Sequence, residues 1–160
     1  MLEEAVSLIR SIRVKGKKLI LAGNGGSAAI ASHVAVDMTK NTGIRAVNFN
    51  EPDLITCFAN DYGYERWVEM ALEFYADAED LLILISSSGR SPNILNAAMK
   101  AREMKMGIVT FSGFLPDNPL RKEGIINFWV DSDNYNFVEM THHIWLLAIT
   151  DRLVTDSALT

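Results

Sequence analysis

The residues best suited to chemistry in this chain gather in two loops and two helical stretches. Ser86-Ser87-Ser88-Gly89-Arg90-Ser91-Pro92-Asn93 follows directly on the apolar run Leu81-Leu82-Ile83-Leu84-Ile85. Ser91 suits a helix N-cap, and Pro92 suits the first helical position, where a missing N–H costs nothing. The free amides at a helix start, with the helix dipole, favour an anion. Ser86, Ser87, Ser88 and Ser91 add hydroxyl donors around that point. The stretch has no Gly-Lys-Ser/Thr triplet and no acidic metal ligand, which disfavours a nucleotide-binding P-loop. A phosphate monoester held by hydroxyls and amides fits better. The bland alternative is a flexible Ser/Gly turn with one ordinary cap.

The second loop is Gly23-Asn24-Gly25-Gly26-Ser27, after Leu19-Ile20-Leu21-Ala22. As a dinucleotide fingerprint it is weak, because Ala28 stands where the third glycine belongs. Glu51 also falls two residues past Phe49, where an acidic residue should close the next strand. A tight turn into a helix remains, with the Asn24 amide open to a polar ligand. His33 and Asp37 are four residues apart and share a helix face. His142 and His143 are adjacent, so they cannot both face the same way. Asp61, in Asn60-Asp61-Tyr62-Gly63, is by default a turn residue. Trp67, Phe74 and Tyr75 read as core or interface rather than as stacking ligands.

The elements that must position these residues alternate. Helical spacing predicts helices over 2–14, 28–40 (capped by Ser27), 52–59, a further stretch to about 76, 92–104 and 137–153. Short apolar runs predict strands at 17–22, 45–49, 81–86, 107–111 and 125–130. Strands that are apolar throughout, alternating with helices, imply a parallel sheet covered on both faces. The expected architecture is an open three-layer α/β/α sandwich with five parallel strands, flavodoxin-like, in one domain over 1–160. Ligands of such folds sit beyond the carboxyl ends of the strands. The two loops should therefore share one rim.

Composition narrows the function classes. The chain has 160 residues, 49% of them hydrophobic and 22% charged, with a net charge of −5 and no basic stripe. No nucleic-acid partner is expected. A single cysteine, Cys57, excludes an internal disulfide and CxxC metal motifs, and predicts a small buried residue in a reducing compartment. No apolar stretch is long enough to span a bilayer, and Met1-Leu2-Glu3-Glu4 does not begin like a signal peptide. The expectation is a cytoplasmic protein without a membrane partner.

Together, GNGGSAAIASHVAVDMT, CFANDYGY and LLILISSSGRSPNILNA resemble the sugar isomerase (SIS) domain family, specifically its phosphoheptose isomerase branch. A weaker match continues through AREMKMGIVTFSG and the last helix. The resemblance implies that Ser27, Ser86, Ser87, Ser88 and Ser91 contact a sugar phosphate, with Asn24, Gly25 and Asp61 on the sugar chain. It implies aldose–ketose isomerisation of sedoheptulose 7-phosphate through an enediol, feeding bacterial surface-polysaccharide synthesis. It also implies a homotetramer with sites between subunits and, in some members, zinc. The family also holds a non-catalytic, replication-initiator-associating adaptor, which is the alternative function.

The match departs from the family at three places. Asp37 stands where the resemblance places a catalytic glutamate, beside His33 in its expected position. Val138 and Leu146 replace a glutamine and a second catalytic histidine. His142 lies four residues from each, so helical spacing sets it on their face. The expectation is that His142 replaces the lost histidine and completes a metal site with His33 and Asp37. The N-terminal helical segment is also shorter than the family's.

Overall fold

The computed structural model describes residues 1–157. Helix α1 (Leu2–Val14) precedes strand β1 (Leu19–Gly23), helix α2 (Gly26–Thr42) and strand β2 (Ala46–Asn48). Helices α3 (Pro52–Tyr62) and α4 (Trp67–Tyr75) lead to β3 (Leu81–Ser86), α5 (Pro92–Glu103) and β4 (Gly107–Ser112). A short 3-10 turn, Pro119–Lys122, precedes β5 (Ile126–Trp129) and the long helix α6 (Tyr135–Ser157). The five strands form one parallel sheet in the order β2-β1-β3-β4-β5. The expected α/β/α sandwich is the fold.

The central strands β1 and β3 are covered on both faces, which is why they are apolar without alternation. Leu19, Leu21, Leu81, Ile83 and Ile85 face one core layer with α1, α2 and α6. Ile20, Ala22, Leu82 and Leu84 face the other, with α4 and α5. β1 and β3 pair in register from Leu19↔Leu81 to Gly23↔Ile85. At the opposite end of this pair, Asp80 anchors the register. Its buried carboxylate accepts the backbone N–H of Lys18 at 2.8 Å and that of Asp77 at 2.8 Å, and lies 2.9 Å from Lys18 Nζ.

Two local expectations are corrected. Ser27 is not the cap of α2: Gly25 occupies that position at φ 54°, and Ser27 is buried in the first turn. A positive φ there demands glycine. Cys57 is exposed rather than buried, because α3 lies at the rim and contributes no fully buried residue. Trp67 is core, whereas Phe74 and Tyr75 are more than half exposed.

Replacing Asp80 by Ala leaves the backbone N–H groups of Lys18 and Asp77 without their acceptor, while the Lys18 ammonium keeps Asp77 as its partner. The expected loss, measured by urea unfolding, is about 2–4 kcal/mol.

Candidate functional site

Strand order reverses its sense of progression between β1 and β3, the switch point where open parallel sheets bind ligands. The Gly loop leaves β1 and the serine loop leaves β3 side by side there. Between them opens a cavity of about 160 Å³, lined by Asn24, Ser27, Ile85, Ser86, Ser87, Ser88, Ser91, Tyr135 and Glu139. The expected serines and Asn24 are therefore brought together.

The serine loop is held in place from behind. Gly89 takes φ 63° and packs on the side chain of buried Asn118. Asn118 Nδ2 donates to Leu115 O at 2.9 Å and to Gly113 O at 3.1 Å. Gly113 N–H donates to Ser87 O at 2.9 Å, and Leu120 N–H to Gly89 O at 3.1 Å. This bonding answers the alternative of a merely flexible turn. Ser91 occupies the cap position of α5 without a side-chain cap bond; its Oγ lies 3.2 Å from Ser86 Oγ. Ser87 Oγ is buried in the pocket wall without a hydrogen-bond partner in the protein. A buried hydroxyl in this state is costly unless something else binds it.

Asn24 is itself tied down. Its side chain exchanges two hydrogen bonds of 2.9 Å with Asn93, and its Oδ1 also accepts from Tyr64 OH at 3.1 Å. One Nδ2 hydrogen remains for a ligand. Asp61 sits on exposed α3, accepts from Asn60 Nδ2 at 2.8 Å, and does not line the cavity.

The histidines depart from expectation. His142 does share a face of α6 with Val138 and Leu146, but all three are fully buried, so that face is the core. His142 Nε2–H donates to Ser112 O at 3.0 Å, while the ring packs edge-on against Phe111. Its Nδ1 is buried without a partner. Burial lowers the pKa to about 4, only partly countered by the Ser112 carbonyl. His142 consequently meets neither His33 nor Asp37.

His143, one residue on, does so instead. Its Nε2 lies 2.9 Å from His33 Nδ1, with the rings T-shaped. His33 Nε2 lies 3.4 Å from Asp37 Oδ2. If the Asp37 carboxylate accepts from His33 Nε2–H, His33 Nδ1 is an acceptor, His143 Nε2–H donates to it, and His143 Nδ1 keeps its lone pair. Burial and the neighbouring His33 lower the His143 pKa, while Asp37 raises it.

The zinc donors expected from the resemblance do not converge. His142 is turned into the core, and both nitrogens of His33 are already engaged. Among the described residues no three His, Cys, Asp or Glu side chains form a metal-binding group.

The family model of the SIS domain matches residues 1–113. The chain belongs to the SIS domain family. The phosphoheptose isomerase of Fusobacterium nucleatum is 36% identical over 113 residues, 68% of this chain and 57% of that protein. That of Helicobacter pylori strain P12 is 35% identical over 119 residues, 71% and 62% of the two chains. This SIS chain thus spans about three-fifths of the length of those relatives. The solved phosphoheptose isomerase of Neisseria gonorrhoeae superposes with a TM-score of 0.88 at 26% identity, covering 96% of this chain and 85% of that one. For the Francisella tularensis enzyme the TM-score is 0.89 at 24% identity, covering 97% and 84%.

Tyr135 and Glu139 of the SIS pocket escaped sequence reasoning. The rim rule that singled out the loops after β1 and β3 applies equally to the start of α6, which follows β5 at the same edge.

Below the ordinary imidazole range the unfolded chain takes up a proton at His142 that the folded chain refuses. Stability should therefore fall as pH drops from about 6.5 to about 4, by on the order of 3 kcal/mol, with no contribution from this group above that window. Urea unfolding across pH checks this, and His142→Leu should flatten that part of the profile.

Proposed function

We propose that this SIS domain is a sugar-phosphate aldose–ketose isomerase, converting sedoheptulose 7-phosphate to D-glycero-D-manno-heptose 7-phosphate through an enediol. The observation that carries this reading is the hydroxyl-walled pocket over the start of α5. Ser86, Ser87, Ser88 and Ser91 hold the phosphate together with the Asn93 N–H in the first turn of α5, where Pro92 has no N–H and Ile94 already donates to Ser91 O. Ser27, Asn24 and the Gly25 backbone border the sugar chain. The similarity to phosphoheptose isomerases of more than one bacterium supports the substrate class.

The chemistry moves one proton between adjacent carbons and another between adjacent oxygens. The Asp37–His33–His143 chain suits the oxygen shuttle, since His143 Nδ1 accepts a proton while Asp37 steadies the charge through His33. Asp37 is a positioning residue in this scheme, and His143 takes the role expected of His142. No proton transfer in the scheme is routed through zinc.

His33 lies seven residues beyond Gly26, about 10 Å along the helix. The shuttle of one copy therefore serves best when copies pack together. Side chains of α2 and α6 flanking His33 and His143 are apolar and exposed: Val36, Phe137, Met140 and Ile144 are each more than half accessible. That stripe supports a homotetramer with sites between subunits. No described helix is long and apolar enough to cross a membrane. The reading places the enzyme in the cytoplasm, feeding lipopolysaccharide or capsule synthesis.

One observation favours a second reading. The α6 face on which the resemblance sets a glutamine and a catalytic histidine is here Val138, His142 and Leu146, buried in the core. A non-catalytic sugar-phosphate-binding or adaptor module would tolerate that loss.

The two are separated by proton NMR in deuterium oxide with sedoheptulose 7-phosphate. Isomerisation predicts exchange at C1 or C2; an adaptor gives none with this or any other sugar phosphate. His143→Ala should lower the exchange rate by about 100-fold or more while ligand affinity is kept. Ser87→Ala should weaken sugar-phosphate binding about 10- to 100-fold, read by calorimetry, as expected for one lost hydrogen bond to a charged ligand.

A further inference from the structure

We infer that Glu139, which α6 delivers into the serine pocket against Gly26 of α2, is the carboxylate base that takes the carbon-bound proton. This rests on the isomerase reading above and supplies the group that reading leaves unassigned.

Of the residues lining the cavity, Glu139 brings the only carboxylate. A Cβ on Gly26 would fall 2.7 Å from the Glu139 carboxyl carbon. Gly26 has no positive φ, so it is the space and not the backbone that calls for glycine there. α2 carries no acidic residue in its first turn and no side-chain cap. The negative charge that a helix start favours comes instead from the neighbouring helix. Two helix starts thus meet at one pocket. That of α5 faces hydroxyls and is open to a phosphate, while that of α2 faces a carboxylate. This arrangement separates two anions that would otherwise repel.

Asp37 cannot do the same work within one chain. It lies eleven residues beyond Gly26, about 16 Å along the helix. Six carbon–carbon bonds of about 1.5 Å each cannot bridge that from a phosphate in the serine loop. Glu139 already borders the space where the sugar chain must run.

The step balances without an oxidant. Glu139 takes the C1 proton of the ketose, and the C1–H electron pair becomes the C1=C2 bond as O2 gains a proton. O1 then gives up its proton, C1=O forms, and Glu139 returns its proton to C2. The product is the aldose, and the carboxylate is regenerated.

The test measures deuterium exchange of sedoheptulose 7-phosphate, its dissociation constant and thermal unfolding in four proteins: wild type, Glu139→Gln, Glu139→Asp and Gly26→Ala. The expected result for Glu139→Gln is exchange lowered about 100-fold or more, with affinity within about threefold and a folded protein. Glu139→Asp should recover part of the rate. Gly26→Ala, which displaces the carboxylate without removing it, should lower the rate as a misplaced base does. If wild type exchanges and Glu139→Gln exchanges within threefold of it, the assignment fails and the isomerase reading stands. Tighter phosphate binding by Glu139→Gln at unchanged rate would make Glu139 an electrostatic gate, which also overturns the assignment. A wild type that exchanges nothing overturns both.

Discussion

Everything at the candidate site depends on the parallel pairing of β1 with β3. The ladder runs in register to Gly23 and Ile85, so two segments that are far apart in sequence leave the sheet at neighbouring points. Each then turns into a helix that starts beside the same cavity. β2 continues the sheet on one side and β4 on the other, so the gap between the two exits cannot be filled by a further crossover. Asp80 secures this pairing from the far end by satisfying Lys18, side chain and backbone together. A shift of register there would separate the serine loop from the Gly loop, whatever the residues in either.

The long helix α6 divides its surface among three tasks. Val138, His142 and Leu146 close the core over β4, where Gly113 leaves room for Val138 and Phe111 meets the His142 ring. Tyr135, Glu139 and His143, also at intervals of four, run along the seam with α2. Phe137, Met140 and Ile144 face outward. The polar groups that α6 brings to the cavity and to His33 therefore lie one residue round from where the family resemblance places its site residues. A helix turns by about 100° per residue, so a one-residue change of position exchanges a core contact for a seam contact.

The fold was legible because its cause is local and repetitive. Continuous apolar runs of four to six residues are too short for buried helices and fit strands covered on both faces, and the glycine, serine and proline signals mark where they end. The serine pocket was legible for a related reason: strand ends in such sheets lie on one rim, and the loop's hydroxyls adjoin a proline-started helix. Ser27 as a cap failed because the turn needed a positive φ at Gly25, which moved the helix start two residues earlier. Cys57 failed because α3 lies at the rim, a placement that its composition does not reveal.

His142 and His143 mark the boundary between the two kinds of knowledge. Helical spacing alone determines that His142 shares a face with Val138 and Leu146, and that His143 does not. Which face turns inward is a property of the neighbours: β4 presents Phe111, Ser112 O and the space above Gly113 to one side of α6, and α2 presents His33 and Gly26 to another. Periodicity carries no information about rotation of the whole helix, since every rotation preserves the spacing. Packing chose the rotation that buries two aliphatic side chains. In doing so it placed a neutral histidine in the core and brought a glutamate to the serine pocket.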